Sequence, residues 1–231
     1  MNAVLLVPLA GPMQSWGTRS RFQERDTERE PSKSGVIGLL CAALGRDRAE
    51  PLDDLAALRM GVRVDSDGRL RRDFQTARDV ITAEGKVAKD AQISQRHYLA
   101  DAVFLVGLEG DKSILLNLHI ALSKPVWPLF LGRKSYVPSM PLYLPDGLRE
   151  KTDLQAALLS CPLLCDLRKE QKEIRLVLES SSATHESRMD IPVSFAFGKR
   201  EFRERYIRTE FVPVDAFPSK EDSGVPFATR S

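Results

Sequence analysis

The 231 residues suffice for one large domain, or for one domain with a smaller appendage. With 42% hydrophobic and 29% charged side chains and a formal net charge of +2, the composition is that of a globular protein, and overall charge gives no sign of a nucleic-acid binder. The cysteines Cys41, Cys161 and Cys165 make neither a disulfide framework nor a zinc-ligand spacing, the N-terminus lacks a signal-peptide pattern, and no apolar run approaches the ~20 residues of a membrane span. The expectation is a cytoplasmic chain with no metal, no cofactor and no membrane contact.

The run AVLLVPL (residues 3–9) predicts a buried opening strand. Residues 10–33 form a long irregular connection, and a loop of that length inside a compact domain is usually functional. It opens with LAGPMQSWG (9–17), which sets a large indole between a serine and a glycine at the mouth of the strand. Ser32 or Ser34 can cap a helix over the apolar run to Leu44, ending at Gly45. Helical turns are expected at 51–58. Residues 60–64 are strand-like, and the turn Ser66-Asp67-Gly68 predicts a hairpin returning through RLRRDFQTA. Residues 78–97 are polar, with a turn at Glu84-Gly85-Lys86, and fit an extended hairpin projecting from the body. YLADAVFLVGL (98–108) predicts one strongly apolar strand. Apolar residues at 114, 115, 118 and 122 have helical spacing, and a further strand is expected near 126–131 or 136–144.

Strand, helix, strand, strand, helix, strand is the order of a ferredoxin-like or RRM-type βαββαβ fold of class α+β. It is expected over residues 1–145, with a β-hairpin thumb at about 75–97. A helix at 151–160 and strands at 174–180, 191–197 and 205–214 predict a smaller β-rich C-terminal lobe over 146–217, followed by a mobile tail over 218–231. Basic clusters occur at Arg69, Arg71 and Arg72, at Arg133 and Lys134, and at Lys199, Arg200, Arg203, Arg205 and Arg208. Each by itself fits a solvated face.

Four stretches carry a resemblance: LAGPMQSWG (9–17), PSKSGVIGLLCAALG (31–45), YLADAVFLVGL (98–108) and LGRKSYVPSMPLYL (131–144). In this order and spacing they resemble CasD, the type I-E branch of the CRISPR-associated (RAMP) Cascade subunits that hold the 5′ handle of the guide RNA, the crRNA. The match spans roughly residues 1–144, with REFRERYI (200–207) a weaker echo of the family's C-terminal strand. Tyr136 stands where family members often carry Cys, which adds a ring able to stack.

The resemblance implies a non-catalytic RNA-binding subunit that caps the backbone filament of a complex recognising invading DNA. Its implied partners are the crRNA handle, the CasC backbone subunits, the CasA large subunit and the other Cascade subunits, with target DNA met indirectly. A single-stranded handle needs close backbone approach, phosphate donors and flat surfaces for unstacked bases. Gly11 and Gly17 permit the approach, Gln14 can read a base edge through its amide, and Ser15 supplies a hydroxyl. Trp16 either stacks on a base or plugs the end of the sheet. Ser32, Lys33, Ser34 and Gly35 open a helix, where free N–H groups and the dipole favour a phosphate, or else Ser32 is a plain cap. Gly132, Arg133, Lys134, Ser135 and Tyr136 offer a turn, cations, a hydroxyl and a ring for a bent backbone. In the thumb, Arg78, Lys86, Lys89 and Arg96 are expected to face RNA, and Val80, Ile81 and Val87 to pack on a CasC subunit.

A competing expectation is a metal-independent endoribonuclease that processes precursor crRNA, since Arg96-His97-Tyr98 groups the residue types such chemistry needs. In the type I-E branch a separate subunit, CasE, cuts the RNA, so the expectation for this chain is no enzyme.

Overall fold

In the computed structural model, strand β1 (Asn2–Ala10) turns Ala3, Leu5, Val7 and Leu9 to one face and Val4, Leu6 and Ala10 to the other, and both faces are buried. A strand covered on both sides needs apolar residues at every position, which accounts for its unbroken apolar run. The structure describes residues 2–18, 24–82, 84–87, 90–168 and 170–219.

The chain continues through β2 (Met13–Gln14), β3 (Glu24–Arg25), α1 (Lys33–Leu44), α2 (Asp53–Ala56), β4 (Arg59–Ser66), β5 (Arg69–Ala77), β6 (Gln92–Ala100) and β7 (Val103–Asp111). Then come α3 (Lys112–Ser123), β8 (Leu148–Glu150), α4 (Leu154–Ser160), β9 (Glu173–Ser180), β10 (Glu186–Ser194) and β11 (Glu201–Pro213). The fold is mixed α and β, mostly sheet with few helices. A seven-stranded sheet runs in the order β10-β11-β9-β4-β7-β1-β8, with every neighbouring pair antiparallel. Helices α1 and α3 pack on one face through Val36, Ile37, Leu40, Leu115, Leu118 and Leu122. Helix α4 and the segment after it cover the other through Leu154, Leu158, Cys161 and Leu164. Local sequence sets the helix ends. Ser32 caps α1 by accepting the Gly35 N–H at 3.3 Å, Asp111 caps α3, Asp153 caps α4, and Gly45 closes α1 in the left-handed conformation at φ 71°.

Several expectations need correction. The C-terminal strands are not a separate lobe, because β9 pairs with β4 and carries β11 and β10 into the same sheet. The last strand of the expected βαββαβ order is β8, at residues 148–150, and the stretches 126–131 and 136–144 contain none. The turn at Ser66–Gly68 does not return the chain beside β4. That strand is flanked by β7 and β9, so it has no free edge, and β5 pairs with β6 in a second sheet of order β2-β6-β3. The apolar run 98–108 is not one strand. Asp101, at φ 57°, breaks it into β6 of the small sheet and β7 of the large one. The hairpin at this position is longer than 75–97: β5 pairs with β6 along Arg69–Ala77, and the bridge Ile81–Val87 lies beyond, around the positive-φ Gly85. The expected tail lies outside the described residues except for Pro218 and Ser219. No helix among the described residues is long and apolar enough to cross a membrane.

An ion pair with no exposed surface holds the α4 side. The Arg63 guanidinium grips both Asp65 oxygens, at 2.7 and 2.9 Å, and donates to the carbonyls of Leu158 (2.6 Å), Pro162 (2.8 Å) and Cys161. Asp65 also accepts the Leu164 N–H at 2.8 Å. Removing one partner leaves the other charged and buried, so Arg63→Met should cost about 3–5 kcal/mol in urea unfolding, and Arg63→Met with Asp65→Leu should recover much of that loss.

Candidate nucleic-acid interface

The turn after β1 is built from packing. Gly11 is buried, and a Cβ there would lie 2.8 Å from Leu131 Cδ1 and 2.9 Å from the Val137 carbonyl. The Gln14 amide donates to the carbonyls of Ala102 (2.8 Å) and Leu9 (3.3 Å) and accepts the Trp16 indole N–H at 3.2 Å. With no exposed surface and both ends of its amide engaged, Gln14 holds the strand end and does not offer a base edge. Trp16 is 1% exposed, and its ring lies 2.8 Å from where a Cβ on Gly35 would be. Of the two expectations for the indole, the plug is what the fold contains. The Ser15 hydroxyl faces the carbonyls of His97 (3.3 Å) and Asp26 (3.4 Å), and the Ser15 N–H donates to Leu131 at 3.1 Å. Thus Ser15 ties the turn to the second sheet.

The amino end of α1 likewise turns inward. The expected phosphate position is filled by a carboxylate of this chain, since the Lys33 N–H donates to Asp190 Oδ2 at 2.8 Å. Asp190 sits at the β10 bulge between Met189 and Ile191, where the local kink re-aims a side chain. Its other partner is Arg205, which donates to both oxygens at 2.6 and 2.9 Å. Lys33 is 1% exposed and its ammonium binds the Glu179 carboxylate at 3.0 and 3.1 Å. Burial pushes the Lys33 ammonium down from its ordinary value, against the pull of Glu179. Nearby, Glu30 is buried between Arg175, at 2.7 Å, and Arg188. Lys33 is thus part of an internal network, not a charge presented to a ligand.

Gly132 packs still more closely. It adopts φ 89°, and a Cβ would fall 1.8 Å from the Ser15 carbonyl. Arg133 lies over the Tyr136 ring, 5.3 Å from its centroid, and donates to the Tyr136 hydroxyl (2.7 Å) and to the Arg25 carbonyl (3.3 Å). Tyr136 is buried against Tyr98, so its ring is not presented for stacking. Lys134 and Ser135 are exposed.

What these segments build is an open cleft of about 260 Å³. Ser15, Trp16, Ser34, Gly35 and Gly132, from three separate stretches, line one side of it. Gly17 and Thr18 extend that wall, and Phe195, Arg200 and Phe202 of the β10–β11 hairpin form the other. Sequence reasoning missed this second wall. Its signal was the aromatic-basic string SFAFGKREF between two strands, which the strand expectation for 191–197 passed over. The basic cluster that contains it divides in the fold. Lys199, Arg200 and Arg203 are exposed, Arg205 is buried on Asp190, and Arg208 pairs with Glu210 at 3.2 Å. A larger groove of about 460 Å³, walled by Leu122, Pro125, Met140 and Tyr143, includes none of the predicted residues.

The residues expected in a thumb stand apart from the cleft lining. Arg78 and Lys86 are exposed on the hairpin, Lys86 lies 3.7 Å from Glu84, and Arg96 is half-buried with its Nε on Ser94 Oγ at 3.2 Å. Lys89 lies outside the described residues. His97 contributes a backbone carbonyl to Ser15. Among the described residues no cluster has the makings of a metal site.

Comparison with known proteins places the chain among CRISPR-associated Cas proteins. The family model for CRISPR-associated protein (Cas_Cas5) matches residues 4–208, and the chain belongs to that family. It is 35% identical over 178 residues to the CRISPR system Cascade subunit CasD of Escherichia coli (strain K12), a span covering 69% of this chain and 77% of that protein. Two solved structures superpose along nearly the whole length. One, a crystal structure of a Cas protein, is 48% identical with a TM-score of 0.76, covering 93% of this chain and 97% of that one. The other, from a CRISPR RNA-guided surveillance complex, is 34% identical with a TM-score of 0.77, covering 95% of each chain.

The Asp190 carboxyl makes the α1 junction sensitive to acid. Burial alone would push it up, but the Arg205 guanidinium and the Lys33 N–H outweigh burial and hold it below the ordinary 3.8. A depressed carboxyl contributes stability that is complete above the unfolded value and lost as pH falls through the lower folded value. Asp190→Asn should therefore lose about 3 kcal/mol or more at neutral pH and flatten the fall in urea midpoint as pH drops through and below the ordinary carboxylate range. Equal acid slopes in both proteins would assign the titration to another group.

Proposed function

We propose that the chain is a non-catalytic, cytoplasmic subunit of a type I-E CRISPR surveillance complex. It holds the 5′ handle of the crRNA in the cleft between α1 and the β10–β11 hairpin and caps the CasC backbone filament, with CasA and the other Cascade subunits as neighbours. The observation that carries this reading is the make-up of the cleft. The Ser34 hydroxyl, glycine backbone at Gly17 and Gly35, the Arg200 guanidinium and the Phe195 and Phe202 rings meet in one opening. Those are the donors, close approaches and flat surfaces that an unpaired, bent RNA strand requires. The family supports it, since a 35% identical relative is a Cascade subunit and a 34% identical chain comes from an RNA-guided complex.

The strand order β8-β1-β7-β4, with α1 and α3 on one face, supports a ferredoxin-like assignment for the N-terminal part. The β5–β6 hairpin is its thumb. Leu70, Phe74, Ile81, Val87 and Ile93 are exposed along it, Ile81 by 71%, which suits an arm that reaches a protein neighbour.

Two experiments test the reading. Lys134→Ala and Arg200→Ala should each weaken crRNA binding and reduce the slope of log affinity against log salt by about 0.7 per phosphate contact removed. An unchanged slope in filter-binding titrations of Arg200→Ala would rule out the cleft as the handle site. Replacing Val80, Ile81 and Val87 by Ser should leave stability within about 0.5 kcal/mol, because these side chains are solvated in the free chain. Native mass spectrometry of the co-expressed complex should nonetheless show loss of the subunit from the filament. Full, correctly stoichiometric assembly would remove the thumb from the backbone contact.

A further inference from the structure

Phe197 is 98% exposed, the most exposed of the large apolar side chains described. It sits at the end of the β10–β11 hairpin, where Gly198 turns the chain at φ 73° and the Lys199 N–H closes the turn on the Ala196 carbonyl at 3.1 Å. The turn is held from behind. Phe195 and Phe202 meet edge to face with centroids 6.4 Å apart, and the Phe195 ring lies against Gly38 of α1, 3.9 Å from where its Cβ would be. Two anchored rings thus line the cleft while the third points away from the fold. Lys199 and Arg200 follow it, both exposed, and no carboxylate falls within residues 195–200.

We infer that this hairpin tip is a base-stacking clamp for single-stranded RNA, with Phe197 as the stacking ring and Lys199 and Arg200 as its phosphate contacts. The inference rests on the handle reading above and adds the jaw that closes on the strand. A solvated phenyl ring beside two cations suits a nucleotide better than a protein surface. The ring takes the face of a base and the cations take the phosphates on either side, without any need to match a base edge. Arg200 also lines the cleft, which joins the tip to it through that residue.

The test compares Phe197→Ala, Phe197→Leu and Phe197→Trp in the full chain, using labelled crRNA isolated from the native complex. Phe197→Ala and Phe197→Leu should each weaken binding about tenfold or more, and Phe197→Trp should retain it, because stacking needs a flat π-face and not merely an apolar group. The salt slope should stay at the wild-type value in all three, unlike that of Arg200→Ala. Ultraviolet cross-linking of the wild-type complex should join residue 197 to a handle nucleotide. If Phe197→Ala binds crRNA as wild type while Arg200→Ala lowers the salt slope, the clamp is overturned and the handle reading stands. If neither variant changes crRNA binding, both fall. If Phe197→Ala binds crRNA normally but fails to join the complex, the tip is a protein contact and the clamp is overturned. Thermal midpoints should match throughout, since the ring makes no packing contact to lose.

Discussion

The backbone N–H groups at the start of α1 have no acceptor within the helix, and the Asp190 carboxylate, 157 residues further on, takes the one at Lys33 at 2.8 Å. Around this bond the fold closes. Asp190 brings Arg205, Lys33 brings the partly exposed Glu179, and Glu179 accepts the Met60 N–H at 3.1 Å, so the helix, β4, β9, β10 and β11 share one set of mostly buried charges. Each charge is costly to bury alone and tolerable only in the company of the others. The network therefore forms as a unit, and it sets where the β10–β11 hairpin lies relative to the helix it faces.

That placement is what makes a cleft. Helix α1 and the glycine turn supply a wall of small residues, and the hairpin supplies rings and a guanidinium. The helix end itself is neutralised by Asp190, so an anion approaching it meets Ser34, Gly35 and Arg200 and not a bare dipole. Trp16 and Gly132 fix the floor from the other side, the indole against Gly35 and the glycine against the Ser15 carbonyl. Neither contact tolerates a larger residue, and this, more than any ligand, is a sufficient physical reason for a glycine at 35 and at 132.

The sheet's edges are managed by different means. Strand β8 is three residues long, and β10 carries Pro192 and two register shifts. Short, bulged and proline-bearing edges resist pairing with other chains. Exposed apolar side chains are found on the β5–β6 hairpin and at Phe197, and also on the outer strands at Met189 and Phe211.

Much of this was legible in the sequence. The unbroken apolar runs announced strands buried on both faces, Ser32 and Gly45 marked the ends of α1, and the motifs at 9–17, 31–45 and 131–144 pointed to segments that do meet at one cleft. These are local signals, since burial periodicity and capping depend on neighbours a few residues away. The orientation of the polar residues within those motifs was not legible. Lys33, Gln14 and Tyr136 look like ligand-binding groups by type, yet they face inward because Glu179, Ala102 and Tyr98 wait for them there. Nor did local sequence show that β4, with β7 on one side, would take β9 on the other and send β5 into a second sheet. The sequence by itself determined the opening strand, the main helices and the family. Only the tertiary structure decided which charges are internal, which strands share a sheet and which residues of β10–β11 face the cleft, because each depends on partners more than a hundred residues apart or on an edge already taken.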